Sequence, residues 1–239
     1  MATQKPYYAL VITAHKLDVL TLKLWGKCRQ ELGPNRVFLL FDATRCQDVH
    51  EFAKKYPGHV VIFDDEQCKS VNPLFKTSYD NVDCKLAFLY ERVRLPEFTW
   101  MIETDVYCDG NIRNTLDKCH DSSDFISSDI KKWPDVKHWP HWTRLEGDAS
   151  TIPMDQRWGC FFPVCRFSRR FLKCVRDFYY KGTQTGYCEV YFPTLANKHG
   201  FTIKELPKSI HGNISWEQNY DQDTIPKLQN NKLYHRYLG

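Results

Sequence analysis

The length, composition and charge of the chain exclude several classes of protein. With 239 residues, of which 42% are hydrophobic and 15% aromatic, the chain can bury a sizeable core and is not expected to be disordered. The net charge of +4 is spread along the chain, which argues against a dedicated nucleic-acid binder with its concentrated basic surface.

The first half of the chain alternates between strand and helix patterns. Apolar runs typical of strands buried on both faces occupy residues 7–13, 37–41, 59–63 and 99–102. Helix patterns separate these runs and begin at Asp18, at Asp48, and at Asn81 or Asp83. This β-α-β-α-β-α-β rhythm predicts a mostly parallel sheet with right-handed crossovers and helices on its faces.

The second half of the chain is less regular. Its sequence predicts short strands at 124–128, 159–164 and 201–206, helices after Ser168 and at 189–199, and a long polar and aromatic loop at 131–158. Residues 207–239 are polar and show no clear period. We therefore expect a single domain over residues 1–239 without internal repeats.

Three further features bear on the location of the protein. No run approaches the roughly 18 to 20 apolar residues that span a bilayer, and residues 1–6 lack the layout of a signal peptide. The ten cysteines contain no CxxC pair, so the spacing of a zinc ribbon is absent. We expect a soluble, cytoplasmic protein with mostly reduced, buried thiols; one or more disulfides is the alternative interpretation.

The most informative motif follows the fourth predicted strand. Glu103 and Asp105 stand one residue apart, directly after the apolar run and before a turn at Asp109-Gly110. Side chains at positions i and i+2 of a strand point the same way, so the two carboxylates would converge at the rim of the sheet. Carboxylate oxygens held this close suit Mg²⁺ or Mn²⁺. An ordinary acidic strand end is the alternative.

Polar residues also follow the other predicted strands. The four strand ends carry His15, Asp42, Asp64 and Asp105. Ligands of open α/β folds bind just outside the carboxyl ends of parallel strands, so this edge is the predicted functional edge. The chain has no Walker loop and no GxGxxG motif, which disfavours P-loop and dinucleotide-binding proteins.

A buried strand that ends in Glu103-Thr104-Asp105, within a β-α half of this layout, resembles the GT-A glycosyltransferases. The resemblance covers roughly residues 7 to 215 and departs from the commonest acidic motif in having Glu in the first position. It implies a single GT-A-like α/β domain that binds a nucleotide-diphosphate sugar of the UDP or GDP type through Mn²⁺ or Mg²⁺. Residues up to about 110 would bind the nucleotide and residues from about 111 to 239 a carbohydrate acceptor.

The resemblance also implies roles for two later residues. Glu189, at the start of a predicted helix, would deprotonate the acceptor hydroxyl, which favours inversion at the anomeric carbon; the alternative is an ordinary acidic residue of a first helical turn. Some GT-A enzymes take a further metal or phosphate ligand from a late histidine. His211 is the candidate here, and a histidine in a surface loop is the alternative.

The nucleotide is expected over the end of the first strand. Candidate contacts to the base, ribose or phosphates are Thr13, Ala14, His15, Asp42, Asp64, Lys85 and Asp105. Polar residues at strand ends also serve as simple caps, and that alternative applies to each of them.

Three tryptophans lie within ten residues of the long loop, namely Trp133, Trp139 and Trp142. An indole offers a flat apolar face and one donor, which suits the C–H face of a sugar. We interpret this loop as acceptor-binding, and an apolar plug over the sheet edge is the alternative.

Two other functions compete with a glycosyltransferase. A nucleotidyltransferase also places carboxylates and Mg²⁺ on an α/β sheet, but it usually has a glycine-rich basic loop near its first strand, and Thr13–Lys16 contains no glycine. A carbohydrate-binding protein without catalysis would account for the tryptophans but would give the acidic pair no function.

Overall fold

The computed structural model describes residues 7–44, 46, 48–214, 219–221, 224 and 230–237. Its strands are β1 (Tyr8–Ala14), β2 (Val37–Asp42), β3 (Val60–Phe63), β4 (Phe98–Glu103), β5 (Val106–Asp109), β6 (Phe125–Lys132), β7 (Leu145–Gly147), β8 (Trp158–Ser168), β9 (Gln184–Gly186), β10 (Ile203–Glu205), β11 (His211–Ile214) and β12 (Lys232–His235). Its α-helices are α1 (Val19–Leu32), α2 (Val49–Lys55), α3 (Asp65–Val71), α4 (Val82–Arg92), α5 (Ile112–Leu116), α6 (Arg169–Lys181) and α7 (Cys188–Lys198).

Seven of these strands form a central sheet in the order β10-β6-β8-β4-β1-β2-β3. Strand β8 runs antiparallel to both of its neighbours, β4 and β6, and the remaining neighbours pair in parallel. The predicted α/β fold class, with a mostly parallel sheet flanked by helices, is confirmed. Two small sheets stand beside it, β11-β12-β5 and β7-β9.

The central strands are apolar along their whole length because both faces of the sheet are covered. In β1, Tyr8, Leu10 and Ile12 pack into one core, and Ala9 and Val11 pack into the other. This division follows from the alternation of side chains along a strand. Helices α1 and α5 contribute to the first core, and α4, α6 and α7 to the second.

Local sequence signals set several helix ends. Asp18 accepts a hydrogen bond from the Thr21 amide at the start of α1, and Ser168 does the same for Phe171 at the start of α6. Gly182 adopts a left-handed conformation and ends α6. The predicted helices at 18–33, after Ser168 and at 189–199 are therefore present within a residue or two of their expected bounds.

Other elements differ from the sequence prediction. The loop predicted at 131–158 contains β7, and the aperiodic segment predicted at 207–239 contains β11 and β12. These strands have three or four residues each, and they form because they pair with distant parts of the chain, as β12 does with β5. A period of two cannot be recognised over so few residues.

All ten cysteines are free thiols and eight of them are buried, in agreement with the favoured interpretation of the sequence. Among the described residues, no helix combines the length and the apolar character needed to cross a membrane. Residues 1–6, which were considered for a signal peptide, lie outside the described residues.

Candidate active site

The acidic motif lies at the carboxyl edge of the central sheet. Strand β4 is hydrogen-bonded between β1 and β8, and it ends at Glu103. The chain then turns through Thr104 and Asp105 into β5, which leaves the central sheet and pairs with β12. In that antiparallel pair His235 stands opposite Val106, so the end of β12 returns to the turn that carries Asp105.

Three potential metal ligands meet at this turn. One ligand atom from each of Glu103, Asp105 and His235 lies within 4.8 Å of the other two. His235 is fully buried, and its Nε2 lies 3.3 Å from Oδ2 of Asp105. The backbone also holds the group together, because the amide of Tyr237 donates to the carbonyl of Asp105 at 2.8 Å.

The electrostatics of this group favour a cation. Burial and the neighbouring charge of Asp105 raise the pKa of Glu103, against the opposing influence of Lys85 and His235. Two carboxylates and an imidazole nitrogen form a mixed oxygen and nitrogen donor set, which suits Mn²⁺ and is compatible with Mg²⁺. The residues present therefore fit the divalent ion that the sequence motif predicts.

The histidine at this group is not the one predicted. His211 is the first residue of β11, where it stands opposite Leu233 of β12. Because β12 lies between β11 and β5, the strand that carries His211 is one position further from Asp105 than the strand that carries His235. The structure brings His235, and not His211, to the acidic pair. The sequence of β12 has one weak signal, an apolar Leu233-Tyr234 pair directly before His235.

A cleft of about 400 Å³ opens over the acidic pair. It is lined by Thr13, Ala14, His15, Lys16, Asp18, Leu20, Tyr79, Lys85, Glu103, Thr104, Asp105 and Arg236. The predicted contacts at the end of β1 and the predicted Lys85 thus lie in one cleft with the acidic motif. Lys16, Lys85 and Arg236 bring positive charge to it, and Asp18, Glu103 and Asp105 bring negative charge. With a divalent cation on the acidic pair, the cleft would suit an anionic ligand.

A second cavity, of about 540 Å³, continues from the end of β1 towards β2 and is lined by His15, Lys16, Leu17, Asp18, Asp42 and Cys46. Asp42 accepts hydrogen bonds from the Thr44 amide and the Ser78 hydroxyl. Burial alone would raise the pKa of Asp42, but these hydrogen bonds and the charge of Lys85 lower it. Asp42 is thus held as an anion in this cavity.

Asp64 has a different environment. Its carboxylate accepts from the Gln67 amide at 2.7 Å and caps α3. It lines neither of the two cavities. Asp64 therefore serves as a helix cap, which is the alternative interpretation of a polar residue at a strand end.

Glu189 lies on the other side of the acidic pair, in the first turn of α7. Its side chain borders a recess formed by Tyr79, Glu103, Phe162, Pro163, Tyr187, Cys188 and Glu189. Glu103 and Tyr79 line both the recess and the main cleft, so the two cavities adjoin each other. Burial raises the pKa of Glu189 to about 7, although Lys131 and a backbone hydrogen bond from Phe162 oppose this.

The tryptophan loop is only partly available to a ligand. Trp142 is 1% exposed, donates its indole N–H to the carbonyl of Val136 at 2.7 Å, and packs edge-on against Trp133 and Trp139. It therefore supports the loop from within the core and has no free face for a sugar, which corrects the expectation for this residue. Trp133 and Trp139 are half-buried. The Lys131 ammonium lies 4.9 Å from the centre of the Trp139 ring.

Comparison with known proteins identifies no family. No protein-family profile matches the chain, and no curated protein sequence matches it. Among solved structures, the chain is similar to a galactosyltransferase, LgtC, with donor and acceptor sugar analogues (11% identity, TM-score 0.47, 97% of this chain and 87% of that chain). It is also similar to mouse xyloside xylosyltransferase 1 (11%, TM-score 0.43, 95% and 97%).

A third similar structure is 4-diphosphocytidyl-2C-methyl-D-erythritol synthase from Anaerococcus prevotii (10% identity, TM-score 0.46, 93% and 94% of the two chains). Two of these three proteins are named as sugar transferases and the third as a synthase. Similarity at this level assigns no activity to the chain, so its function has to be argued from its own residues.

Proposed function

We propose that the protein is a metal-dependent glycosyltransferase, which moves a sugar from a nucleotide-diphosphate sugar to a hydroxyl group of a carbohydrate acceptor. The observation that supports this best is that the main cleft and the recess of Glu189 adjoin each other, with Glu103 and Tyr79 lining both. The candidate cation site at Glu103 and Asp105 has Lys85 and Arg236 beside it in the cleft. Glu103 also lines the adjoining recess, where the second carboxylate is the buried Glu189. Such a pair of environments suits a reaction that needs a stabilised anionic leaving group at one end and a base at the other.

On the donor side, Glu103, Asp105 and His235 would hold Mn²⁺ or Mg²⁺. A bound cation stabilises the negative charge that grows on the diphosphate as the glycosidic bond breaks. Lys85 and Arg236 line the same cleft and would neutralise further phosphate charge. The nucleoside, of the UDP or GDP type, would lie over Thr13, Ala14 and His15 and reach Asp42.

On the acceptor side, Glu189 would take the proton from the attacking hydroxyl. A carboxylate with a pKa of about 7 is a stronger base than an exposed glutamate and is still substantially ionised at neutral pH. Direct attack assisted by this base inverts the configuration at the anomeric carbon. Trp133 and Trp139 would orient the acceptor from the loop of the second half, and residues up to about 110 would hold the nucleotide.

A binding and turnover screen tests this proposal. Thermal unfolding is followed with nucleoside diphosphates and nucleotide sugars, each with Mn²⁺, with Mg²⁺ and with EDTA. A ligand present at 100 times its Kd stabilises a folded protein by about 2.7 kcal/mol, which is readily seen as a rise in Tm. We expect a rise with one nucleoside diphosphate that EDTA abolishes, and transfer from the matching nucleotide sugar.

Two results would overturn the proposal. Sugar binding without any response to nucleotide or metal would identify a carbohydrate-binding protein. Release of pyrophosphate from a nucleoside triphosphate and a sugar phosphate, without glycosyl transfer, would identify a nucleotidyltransferase.

A further inference from the structure

A buried polar network joins the start of α4 to the segment that leads into α7. The Thr185 hydroxyl lies 2.8 and 3.0 Å from the two carboxylate oxygens of Asp83. The Asn81 side-chain amide donates to the Thr185 hydroxyl at 3.0 Å and to the carbonyl of Gly186 at 3.2 Å. Each of Asn81, Asp83 and Thr185 is at most 1% exposed. None of the three lines the cleft or the recess described above.

The network is costly to build inside a protein. Buried polar groups destabilise the fold unless they find hydrogen-bond partners, and a buried carboxylate is the most demanding of them. Burial raises the pKa of Asp83 to about 7, although the Thr185 hydroxyl and the amides of Asp83 and Cys84 oppose this. A purely apolar contact between α4 and β9 would fill the same space without this cost, so the polar groups are expected to specify a particular alignment.

The alignment continues from Thr185 to Glu189 through successive backbone contacts. The amide of Tyr187 donates to the carbonyl of Arg144 at 2.9 Å, and the amide of Cys188 donates to the carbonyl of Asp80 at 3.0 Å. The Arg144 guanidinium in turn donates to the Asp80 carboxylate at 2.6 Å. The first residue of α7 is therefore tied to the segment that precedes α4.

Close packing at Gly186 removes the remaining freedom. A Cβ atom at this position would lie 2.9 Å from both the carbonyl oxygen of Arg144 and Cδ2 of Leu145. The backbone conformation between Thr185 and Glu189 is thus restricted by hydrogen bonds at Thr185, Tyr187 and Cys188 and by close packing at Gly186. The same short segment of chain, residues 80–85, also carries Lys85 into the main cleft.

We propose that Asn81, Asp83 and Thr185 are positioning residues, which set the place of Glu189 relative to Lys85 and the acidic pair on the two sides of the cleft. This inference rests on the proposed function for the role of Glu189, but the geometric coupling itself can be tested without activity. The three residues touch no reacting group. They act by fixing the start of α7 against the start of α4.

The test removes one hydroxyl and leaves the shape unchanged. Thr185→Val replaces the hydroxyl by a methyl group, so that Asp83 and Asn81 lose their shared partner, and Thr185→Ser restores the hydroxyl. The matched control is Thr194→Val. Thr194 is equally buried and lies in α7, but its hydroxyl bonds to the backbone of Trp158 in β8. Thr185→Ala, which also removes the hydroxyl, serves if the valine variant does not fold.

Two readouts are independent of turnover. We expect amide hydrogen exchange at Tyr187 and Cys188 to accelerate at least about 10-fold in Thr185→Val. Without the Thr185 hydroxyl, opening of this segment no longer requires the hydrogen bonds of the network to break, so it costs less free energy. The NMR titration of the Glu189 carboxyl should move from about 7 towards the ordinary range, since a loosened α7 start admits water. Thr185→Ser and Thr194→Val should leave both readouts as in the parent protein.

The kinetic readout separates positioning from general stability. Thr185→Val should lower kcat roughly 10- to 100-fold, as expected for a small displacement of a reacting group, while the KM for the donor stays within about 2-fold. Thr194→Val should lose similar stability and keep its kcat.

Equal behaviour of the two valine variants in exchange, titration and kcat would overturn the inference. Altered exchange and titration in Thr185→Val, in a protein that shows no glycosyl transfer, would support the positioning network and refute the proposed function.

Discussion

Glu103 and Glu189 both line the recess beside the main cleft, but their surroundings differ. Glu103 stands beside Asp105 and His235, and its pKa is raised by burial and by the charge of its neighbour. The recess around Glu189 is lined mainly by aromatic and other weakly polar groups, with Glu103 as the other carboxylate, and the pKa of Glu189 is raised to about 7 chiefly by burial. A bound cation would offset the negative charge of Glu103 and Asp105, whereas a proton would neutralise the buried carboxylate of Glu189. The difference teaches that one residue type can serve as ligand or as base according to what surrounds it.

The largest expected effect is on the cation side. Asp105→Asn removes one of the two carboxylates, and we expect turnover to fall by about 10²- to 10³-fold, which is the scale of losing one electrostatic stabiliser. Initial rates and Mn²⁺-dependent thermal shifts with a nucleoside diphosphate measure this. The matched control is Asp109→Asn, at the far end of β5, which begins directly after Asp105, and outside the three-residue group. Unchanged metal-dependent nucleotide binding in Asp105→Asn would show that Asp105 does not hold the cation.

The next effect is on the base side. Glu189→Gln keeps the size of the side chain and removes its basicity, so we expect kcat to fall by about 10²-fold, the lower end of what a general base supplies, with nucleotide and metal binding intact. The pH profile sharpens this. A base must be ionised, so kcat of the parent protein should rise with pH through about 7, and the variant should lack that limb. NMR analysis of the product is the independent check, because net retention of configuration would exclude this role.

A smaller effect, on Mn²⁺ binding, is expected to distinguish His235 from His211. His235→Gln should weaken Mn²⁺ binding by at least about 10- to 100-fold. That is the loss expected for a residue that only contacts a metal ligand, and His235 is itself one of the three candidate ligands. His211→Gln is the matched control and should bind Mn²⁺ like the parent protein. Calorimetric titration with Mn²⁺ decides between them. Weaker binding in His211→Gln with normal binding in His235→Gln would reverse the assignment made from the structure.

The smallest expected effect concerns the pH dependence of stability. The pKa of Asp83 is raised from 3.8 to about 7, so the folded state binds a proton that the unfolded chain releases between those values. The free energy of unfolding should therefore fall as the pH rises from about 4 to about 7. Asp83→Asn should remove part of that fall. Urea denaturation at several pH values measures it.

Asp124 provides the opposite sign for comparison. Burial acts to raise its pKa, but hydrogen bonds from Arg170, Thr202 and Ser168 lower it to about 2. Its contribution to stability is present above about 3.8 and is lost as the pH falls towards 2. A decline confined to that acid range, with none between pH 4 and 7, would contradict the account given for Asp83.

Much of the central sheet could be predicted because its signals are local. A strand buried on both faces must be apolar throughout, as Tyr8–Ala14 is, and a helix start needs a cap such as Asp18 or Ser168. Glu103 and Asp105 are also close in the chain, although Asp105 lies in the turn after β4 and not, as the two-residue period predicted, on the strand itself. These features depend on residues that are neighbours in the chain.

The rest of the candidate site depends on which distant segments meet. His235 reaches Asp105 only because β12 pairs with β5, and no pattern in four residues reveals that partner. Trp142 and Glu189 differ from exposed residues of the same type only through what covers them. By itself, the sequence determined the sheet, its polar edge and the acidic pair, since apolar runs and the residues directly after them are local features of the chain. Only the tertiary structure decided the third ligand, the buried tryptophan and the desolvated carboxylate, because pairing and burial arise between segments far apart in the chain.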